Sequence, residues 1–452
     1  MSVKSSGQFS SRIGFIMAAA GSAVGVGNIW GFPTQAASHG GGAFLLVYVF
    51  LIIVLGYPML MAELMVGRHG QSNPADAMGK LGSTPKSRNI GKAIGFISIV
   101  TATLICTFYS ILSGWFISFA AAPIAEVMGQ PTIANWMTDF SVSRNLVFTV
   151  IFMALVVLVI RQGVEKGIER WSKRLMPVLL LMLIAGAIYI LTQAGAMEGV
   201  KALFIPDFSR VTDPEVLVGA LGQTFFSLSV GTGAMMVYGA YLNQQENIGK
   251  LTAYVTLTDT TVAFLAALMV IPAMYVAQHN GVQIFADDGS LLNSDTLVFT
   301  VLPALFDSIG GISQYVLAIV FFTLMAIAGL TSAISIVEVP TSYIVEKTTM
   351  NRNKATLLVS AVITILASVI VFNFDALFGL IITLTTERAQ PLIALGIAIF
   401  MGWVWHRDGL LSAIAKQDGV DENSFFWRVW PTYVKFVCPV LISLIIMQLF
   451  LG

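Results

Sequence analysis

The stretch AAAGSAVGVGNIWGFP, residues 18–33, lies inside the first strongly apolar run of the chain, yet it carries four glycines (Gly21, Gly25, Gly27, Gly31), Asn28 and a closing Pro33. Its surroundings define the solvent. Of the 452 residues, 56% are hydrophobic and 11% charged, whereas a soluble domain is about a quarter charged. Mean hydropathy is +0.83. Apolar runs of roughly 20 residues, long enough to cross a bilayer as helix, recur from end to end. The expected class is an all-α polytopic membrane protein whose largest partner is the lipid bilayer. In hydrocarbon no water satisfies a freed backbone N–H or C=O. A glycine-broken helix is therefore tolerated only where its freed groups line a cavity or bind something.

Eleven spans are predicted, at 13–37, 42–67, 93–123, 146–160, 175–194, 217–243, 251–278, 314–345, 355–373, 376–405 and 431–451. Positive residues orient them. The segments after the second and fourth spans carry Arg68, Lys80, Lys86, Arg88 and Lys92, and Arg161, Lys166, Arg170, Lys173 and Arg174; external segments carry only Arg144, Lys201 and Arg210. The N-terminus is expected in the cytoplasm and the C-terminus outside. The external loop 279–313 is acidic (Asp287, Asp288, Asp295, Asp307) and reads as a solvated face. Zero net charge offers nothing to nucleic acid, and Cys106 and Cys438 are too few for a disulfide framework. A single transmembrane domain, 1–452, is expected.

A second broken helix answers the first. The sixth span reads GQTFFSLSVGTGAMMVYGAY, residues 222–241, with Ser227-Leu228-Ser229-Val230-Gly231-Thr232-Gly233 at its centre. Each broken span opens a five-helix half. Paired interruptions point to an inverted-repeat transporter with its site near the midplane. Close helix packing at small residues accounts for Gly21 and Gly25, but not for Asn28 or the second polar break. Half-helix N-termini suit a carboxylate, and freed carbonyls suit a hard cation.

With GSAVGVGNIWGFP, GGGAFLLVY, GQTFFSLSVGTGAM and AGLTSAIS (328–335) in place, the chain resembles the neurotransmitter:sodium symporter family, in its bacterial amino-acid-transporter branch. The resemblance runs over the full length. It implies the leucine-transporter fold: a 5+5 inverted repeat (11–194 and 217–406), helices 1 and 6 broken, and an accessory helix 11 (431–452). It also implies two Na⁺ ions. The second ion would take carbonyls of Gly21, Val24 and Ala328 with the hydroxyls of Thr331 and Ser332. The first would take Ala23, Asn28, Ser227 and a residue of the seventh span: Asp259, or Thr258 if the register shifts by one. An intramembrane carboxylate is a functional hypothesis by default. Two Na⁺ and a zwitterion bring a net charge of +2, which an ionised Asp259 offsets without chloride. At about 6 Å and an effective dielectric near 20, one such pair is worth roughly 2.8 kcal/mol.

By the same resemblance, the substrate carboxylate would meet N–H groups at Val26 and Gly27 and the Tyr109 hydroxyl. The ammonium would meet the Ala23 and Phe226 carbonyls and Ser229, near Ser22 and Ser227. Val26, Thr232, Ala333 and Ile336 would line the side-chain pocket. Gly25 stands where amine transporters carry an aspartate, which favours an amino acid. For gating, Gly31 stands where the family usually has an arginine. The matching acid on the tenth span falls at Phe372 or Phe378, with Asp375 between. The outer closure is then expected from Tyr109 with Phe226, and Glu387 and Arg388 are a candidate new pair. Inside, Ser6 and Phe9 replace an arginine and a tryptophan, Glu346 remains as the acidic partner, and Gly167 and Pro177 match a motif tied to local unwinding.

The expected function is Na⁺-coupled, chloride-independent import of a large hydrophobic or aromatic amino acid across the cell's inner (plasma) membrane, by a monomer or loose dimer. A non-standard or smaller, polar substrate and a binding-only sensor are the alternatives. An enzyme is disfavoured: His39, His69, His279 and His406 all lie at span ends or in loops.

Overall fold

The computed structural model describes residues 7–284, 297–405, 407–415 and 424–451. Ser6, Asp287, Asp288, Asp295 and His406 lie outside the described residues. Among those described, the long elements are all helices. Helix starts are capped by side chains: Ser11, Thr84, Ser141, Asp213, Asn247 and Asn351 each accept a backbone N–H of the following turn.

Eight described helices are long and apolar enough to cross a bilayer. A ninth crossing forms if Arg12–Ala23 and Gly27–Ser38, bent by 58° at their break, count as one. The sequence count was eleven, and the difference comes from two interrupted stretches. The sixth is Pro214–Ser227 followed by Ala234–Ala240; the tenth runs from Phe374–Ile382 through a widened π-helical turn, Thr383–Ala389, into Gln390–Ile399. In the sixth the break leaves neither piece with the length of a span; the tenth runs on through its π-helical turn but carries Glu387, Arg388 and Gln390 in its middle, which lowers its apolar content.

The first half-helix is central. Phe15 and residues 18–23 are buried, packed on Val164–Leu191, Ile248–His279 and Gly311–Lys347. The most extensive pairing joins Pro85–Val127 to Gly311–Lys347. Ala234–Ala240 reaches Gly42–Gly70 through glycines on both sides: a Cβ on Gly67 would strike the Met236 carbonyl, and one on Gly239 the Leu64 carbonyl. This contact ties the inner half of the sixth span to the second. Gly239→Val forces overpacking, which costs about 1–3 kcal/mol; a lowered unfolding temperature in detergent is the expected result.

Candidate functional site

The first break begins at Val24. Its backbone is extended (φ −70°, ψ 98°), its N–H still donates to the Ala20 carbonyl, and the chain resumes as a π-helical turn over Gly27–Gly31. The sixth-span break is held by left-handed backbone: Ser229 at φ +53°, Gly231 at +89° and Gly233 at +81°. Gly231 has a second reason to lack a side chain, since a Cβ would meet the Gln390 carbonyl oxygen at 2.5 Å. Ser229 carries strain of order 1–3 kcal/mol; its hydroxyl donates to the Ser22 carbonyl at 3.3 Å. The Gly231 N–H donates to Glu63 Oε1 at 2.6 Å. Glu63 is fully buried, and its Oε2 has no partner among the described residues.

Two oxygen clusters flank the breaks. In the first, Asn28 Nδ2 donates to Asp259 Oδ1 at 2.7 Å and to Ser227 Oγ at 2.9 Å, while Ser227 Oγ donates to Asp259 Oδ2 at 2.7 Å. Tyr48 donates to Ser227 Oγ at 3.2 Å. Asp259 is fully buried, and no basic side chain among the described residues is ion-paired with it. Thr258 faces outward and donates to the Tyr254 carbonyl. The carboxylate, and not Thr258, joins spans one, six and seven.

In the second cluster Ser332 Oγ lies 3.2 Å from each of the Gly21, Ser22 and Val24 carbonyl oxygens. One hydroxyl proton serves one acceptor at a time, so three carbonyls converge on a single donor. Thr331 Oγ1 lies 3.0 Å from the Ala328 carbonyl oxygen and 3.2 Å from that of Ile327. The latter is the local back-bonding common for threonine in membrane helices, whereas Ser332 reaches across to span one. The second set is oxygen throughout, the chemistry of hard cations, while in the first the Asn28 amide presents its nitrogen to Asp259 and Ser227.

Between the breaks lies a narrow cavity of about 30 Å³, closed down to the space of roughly one water. Ser22, Ala23, Gly27, Tyr109, Phe226, Ser229, Thr232 and Ile336 line it, together with Gly25, Ile105, Ser332 and Gln390. Val26, Ser227 and Ala333 stand outside this lining. The Val26 N–H donates to the Tyr109 hydroxyl at 3.3 Å, Ser227 belongs to the carboxylate cluster, and Ala333 is buried in its helix. A Cβ on Gly25 would lie 2.7 Å from both Ser332 Oγ and Tyr109 Oη, so a side chain there does not fit.

On the outer side, the Phe226 ring rests on Gly27, with Phe226 still 36% exposed. Gln223 Nε2 donates to the Gly27 carbonyl at 3.0 Å, and its Oε1 lies 3.6 Å from where a Gly31 Cβ would be. Phe378 stacks on Phe374 at 4.4 Å and lies 5.9 Å from Trp115. Phe299 meets both Trp115 (5.3 Å) and Trp30 (6.1 Å). This aromatic cluster has no pattern in the sequence that announces it. Phe372, Asp375, Glu387 and Arg388 are exposed.

On the inner side Phe9 packs edge-on against Phe15 and Tyr238, and its N–H donates to the Tyr241 carbonyl. Ser10 N, Ser10 Oγ, Ser11 Oγ and Lys173 Nζ all donate to Glu169, which closes the π-helical turn Val164–Glu169 containing Gly167. Pro177 lies within Arg170–Leu191. Glu346 accepts from Asn73 N and Nδ2 at 2.9 and 2.7 Å. Beside it Lys347 pairs with Asp76 at 2.8 Å. Partial burial disfavours the Asp76 charge, but its bonds from Lys347 and Asn73 outweigh that and hold its pKa below the usual carboxylate value.

Comparison with known proteins places this geometry in context. A model of the sodium:neurotransmitter symporter family matches residues 6–143 and 132–451. An uncharacterised sodium-dependent transporter of Bacillus subtilis, YhdH, is 33% identical over 98% of this chain and 97% of its own length. A sodium-dependent transporter of Haemophilus influenzae, likewise uncharacterised, is 33% identical over 97% and 96%. The crystal structure of MhsT in complex with L-phenylalanine superposes with a TM-score of 0.83 at 33% identity, covering 98% of this chain and all of that one.

Ser332→Ala leaves three carbonyls facing one another without a hydroxyl. It is expected to raise the Na⁺ concentration for half-maximal thermal stabilisation by about tenfold, roughly 1.4 kcal/mol. Glu169→Gln weakens four charge-assisted bonds, and faster amide exchange over residues 7–23 is the expected readout.

Proposed function

The chain belongs to the sodium:neurotransmitter symporter family and is a Na⁺-dependent symporter, not an enzyme; we propose that its cargo is a large hydrophobic or aromatic L-amino acid and that it needs no chloride. The observation that carries this reading is the Asp259 carboxylate, held by Asn28 and Ser227 where three spans meet. A buried carboxylate is costly unless compensated. Na⁺ bound there compensates it, and it in turn offsets the charge that ions and substrate bring into a dry site. For Asn28 to ligate the ion, its amide turns so that the oxygen replaces the N–H₂ facing Asp259. The second ion takes the Ser332 cluster, where it relieves the crowding of the Gly21 and Val24 carbonyls.

An amino acid suits the cavity for two reasons. Its carboxylate takes the N–H groups of the first break and the Tyr109 hydroxyl, and the packing around Gly25 excludes a fixed acid that would serve a simple amine. The apolar walls from Ile105, Phe226 and Ile336 favour a large hydrophobic side chain. The likeness to the phenylalanine complex of MhsT supports the same size class. Transport then follows by alternating access. Tyr109 and Phe226 close above the substrate. Release of the Phe9 and Glu169 contacts lets the first half-helix move and opens the second ion site to the cytoplasm. We place the chain in the plasma membrane as a monomer or loose dimer, N-terminus inside and C-terminus outside.

Uptake of labelled amino acids into proteoliposomes tests this. Accumulation is expected with an inward Na⁺ gradient, not with K⁺, and equally with gluconate in place of chloride. Chloride-dependent uptake would overturn the role given to Asp259. Asp259→Asn is expected to weaken Na⁺ affinity by up to about a hundredfold, the value of one charge pair at roughly 6 Å.

A further inference from the structure

We propose that Gln390 determines specificity within this site: its amide oxygen accepts a hydrogen bond from a donor on an aromatic substrate ring, a phenol O–H or an indole N–H. The transporter would then prefer tyrosine and tryptophan to phenylalanine. This rests on the reading of the cavity as an amino-acid site.

Gln390 opens the helix Gln390–Ile399 directly after the π-helical turn Thr383–Ala389. An extra residue in a turn shifts the helical phase, and such turns recur at functional sites. Here it brings an amide to the cavity wall. The side chain is 3% exposed. Its Nε2 donates to the Val230 carbonyl at 3.4 Å, one of the groups freed by the sixth-span break. A carbonyl can only accept, so the amide nitrogen is committed to Val230 and the oxygen faces another way. Among the described residues that oxygen accepts no hydrogen bond. On the cavity lining and without a partner in the protein, that oxygen is open to a donor supplied by the ligand.

The Thr232 hydroxyl on this lining is already engaged: Oγ1 donates to the Ser229 carbonyl at 2.7 Å and accepts the Ala234 N–H at 3.3 Å. Ile105, Phe226 and Ile336 line the cavity alongside Gln390. Ile105 lies four residues before Tyr109 on one helix, about 6 Å along its axis, so a side chain that reaches from Tyr109 past Ile105 is a long one. Apolar walls with one open acceptor suit a ring that carries a donor.

The test uses the full chain in proteoliposomes under a Na⁺ gradient. KM is measured for phenylalanine, tyrosine, tryptophan and 4-fluorophenylalanine, which matches tyrosine in size without its donor. Wild type is expected to favour tyrosine over 4-fluorophenylalanine, and tyrosine or tryptophan over phenylalanine, by about 3- to 10-fold. Gln390→Met is expected to bring these ratios to within about twofold, whatever its effect on the absolute KM values. Equal wild-type values would overturn the proposal, and so would a preference that survives in Gln390→Met. A variant whose KM rises equally for all four substrates would make Gln390 a support of the Val230 backbone and nothing more. Equal wild-type KM values for tyrosine and 4-fluorophenylalanine overturn the proposal even if the variant does not reconstitute, and Gln390→Glu, which keeps the acceptor, is then the second variant for a positive result. No uptake of any of the four by wild type would instead overturn the aromatic-cargo reading itself.

Discussion

A carboxylate at the centre of a membrane protein, fully buried and held only by neutral donors among the described residues, sets the terms for everything around Asp259. The effective penalty for burying such a charge is several kcal/mol. Two neutral hydrogen bonds recover only part of it. In the proposed reading the remainder comes from Na⁺, so ion affinity and the cost of the empty site are two views of one quantity. That also explains the location. The carboxylate sits where spans one, six and seven meet, so an ion bound to it joins elements that alternating access must move relative to one another.

The breaks supply the rest of the ligands, and they are built so that they cannot anneal into helix. In the sixth span the left-handed residues Ser229, Gly231 and Gly233 preclude a continuous ladder. Glu63 from the second span and Gln390 from the tenth then take two of the freed groups, the Gly231 N–H and the Val230 carbonyl. In the first span the freed carbonyls of Gly21, Ser22 and Val24 gather around Ser332. Freed backbone in hydrocarbon needs partners. Here each break finds some of them on spans of the surrounding scaffold, while the three carbonyls of the first break share the single Ser332 hydroxyl.

Much of this was legible before any coordinates, because the informative residues break a rule that local sequence exposes. Glycines, Asn28 and paired hydroxyls inside apolar runs are out of place, and Asp259 is the only charge in its span. Those anomalies sit in motifs and can be read one span at a time. What stayed hidden are contacts between distant residues. Glu63, like Asp259, is the only charge in its predicted span, but its tie to Gly231 is a contact between residues 168 apart. Gln390 stands beside Arg388 and Pro391 in a stretch whose π-helical turn alters the phase, so no fixed 3.6-residue period places it toward the cavity. Ser10 and Ser11 look like capping residues, and Ser11 is one, yet both also hold Glu169 across the inner face. The sixth span does not register as one long helix for a related reason: apolar content is additive along a sequence, while helix continuity is not.

By the family resemblance, Gly31 stands where an arginine is expected and Phe372 or Phe378, with Asp375 between, where its acidic partner is expected. The region is instead filled by Trp30, Trp115, Phe299, Phe374 and Phe378. An ion pair facing a water-filled vestibule is weak and screened by salt. Aromatic contacts draw on buried apolar area and ring geometry, worth about 0.5–1.5 kcal/mol per pair beyond area, and they do not depend on ionic strength. Gln223 adds a polar contact here: its Nε2 binds the Gly27 carbonyl, and its Oε1 lies 3.6 Å from where a Gly31 Cβ would stand. In the proposed mechanism closure on this side is therefore a packing event, while the charge chemistry of the cycle is concentrated at Asp259 and, on the opposite face, at Glu169.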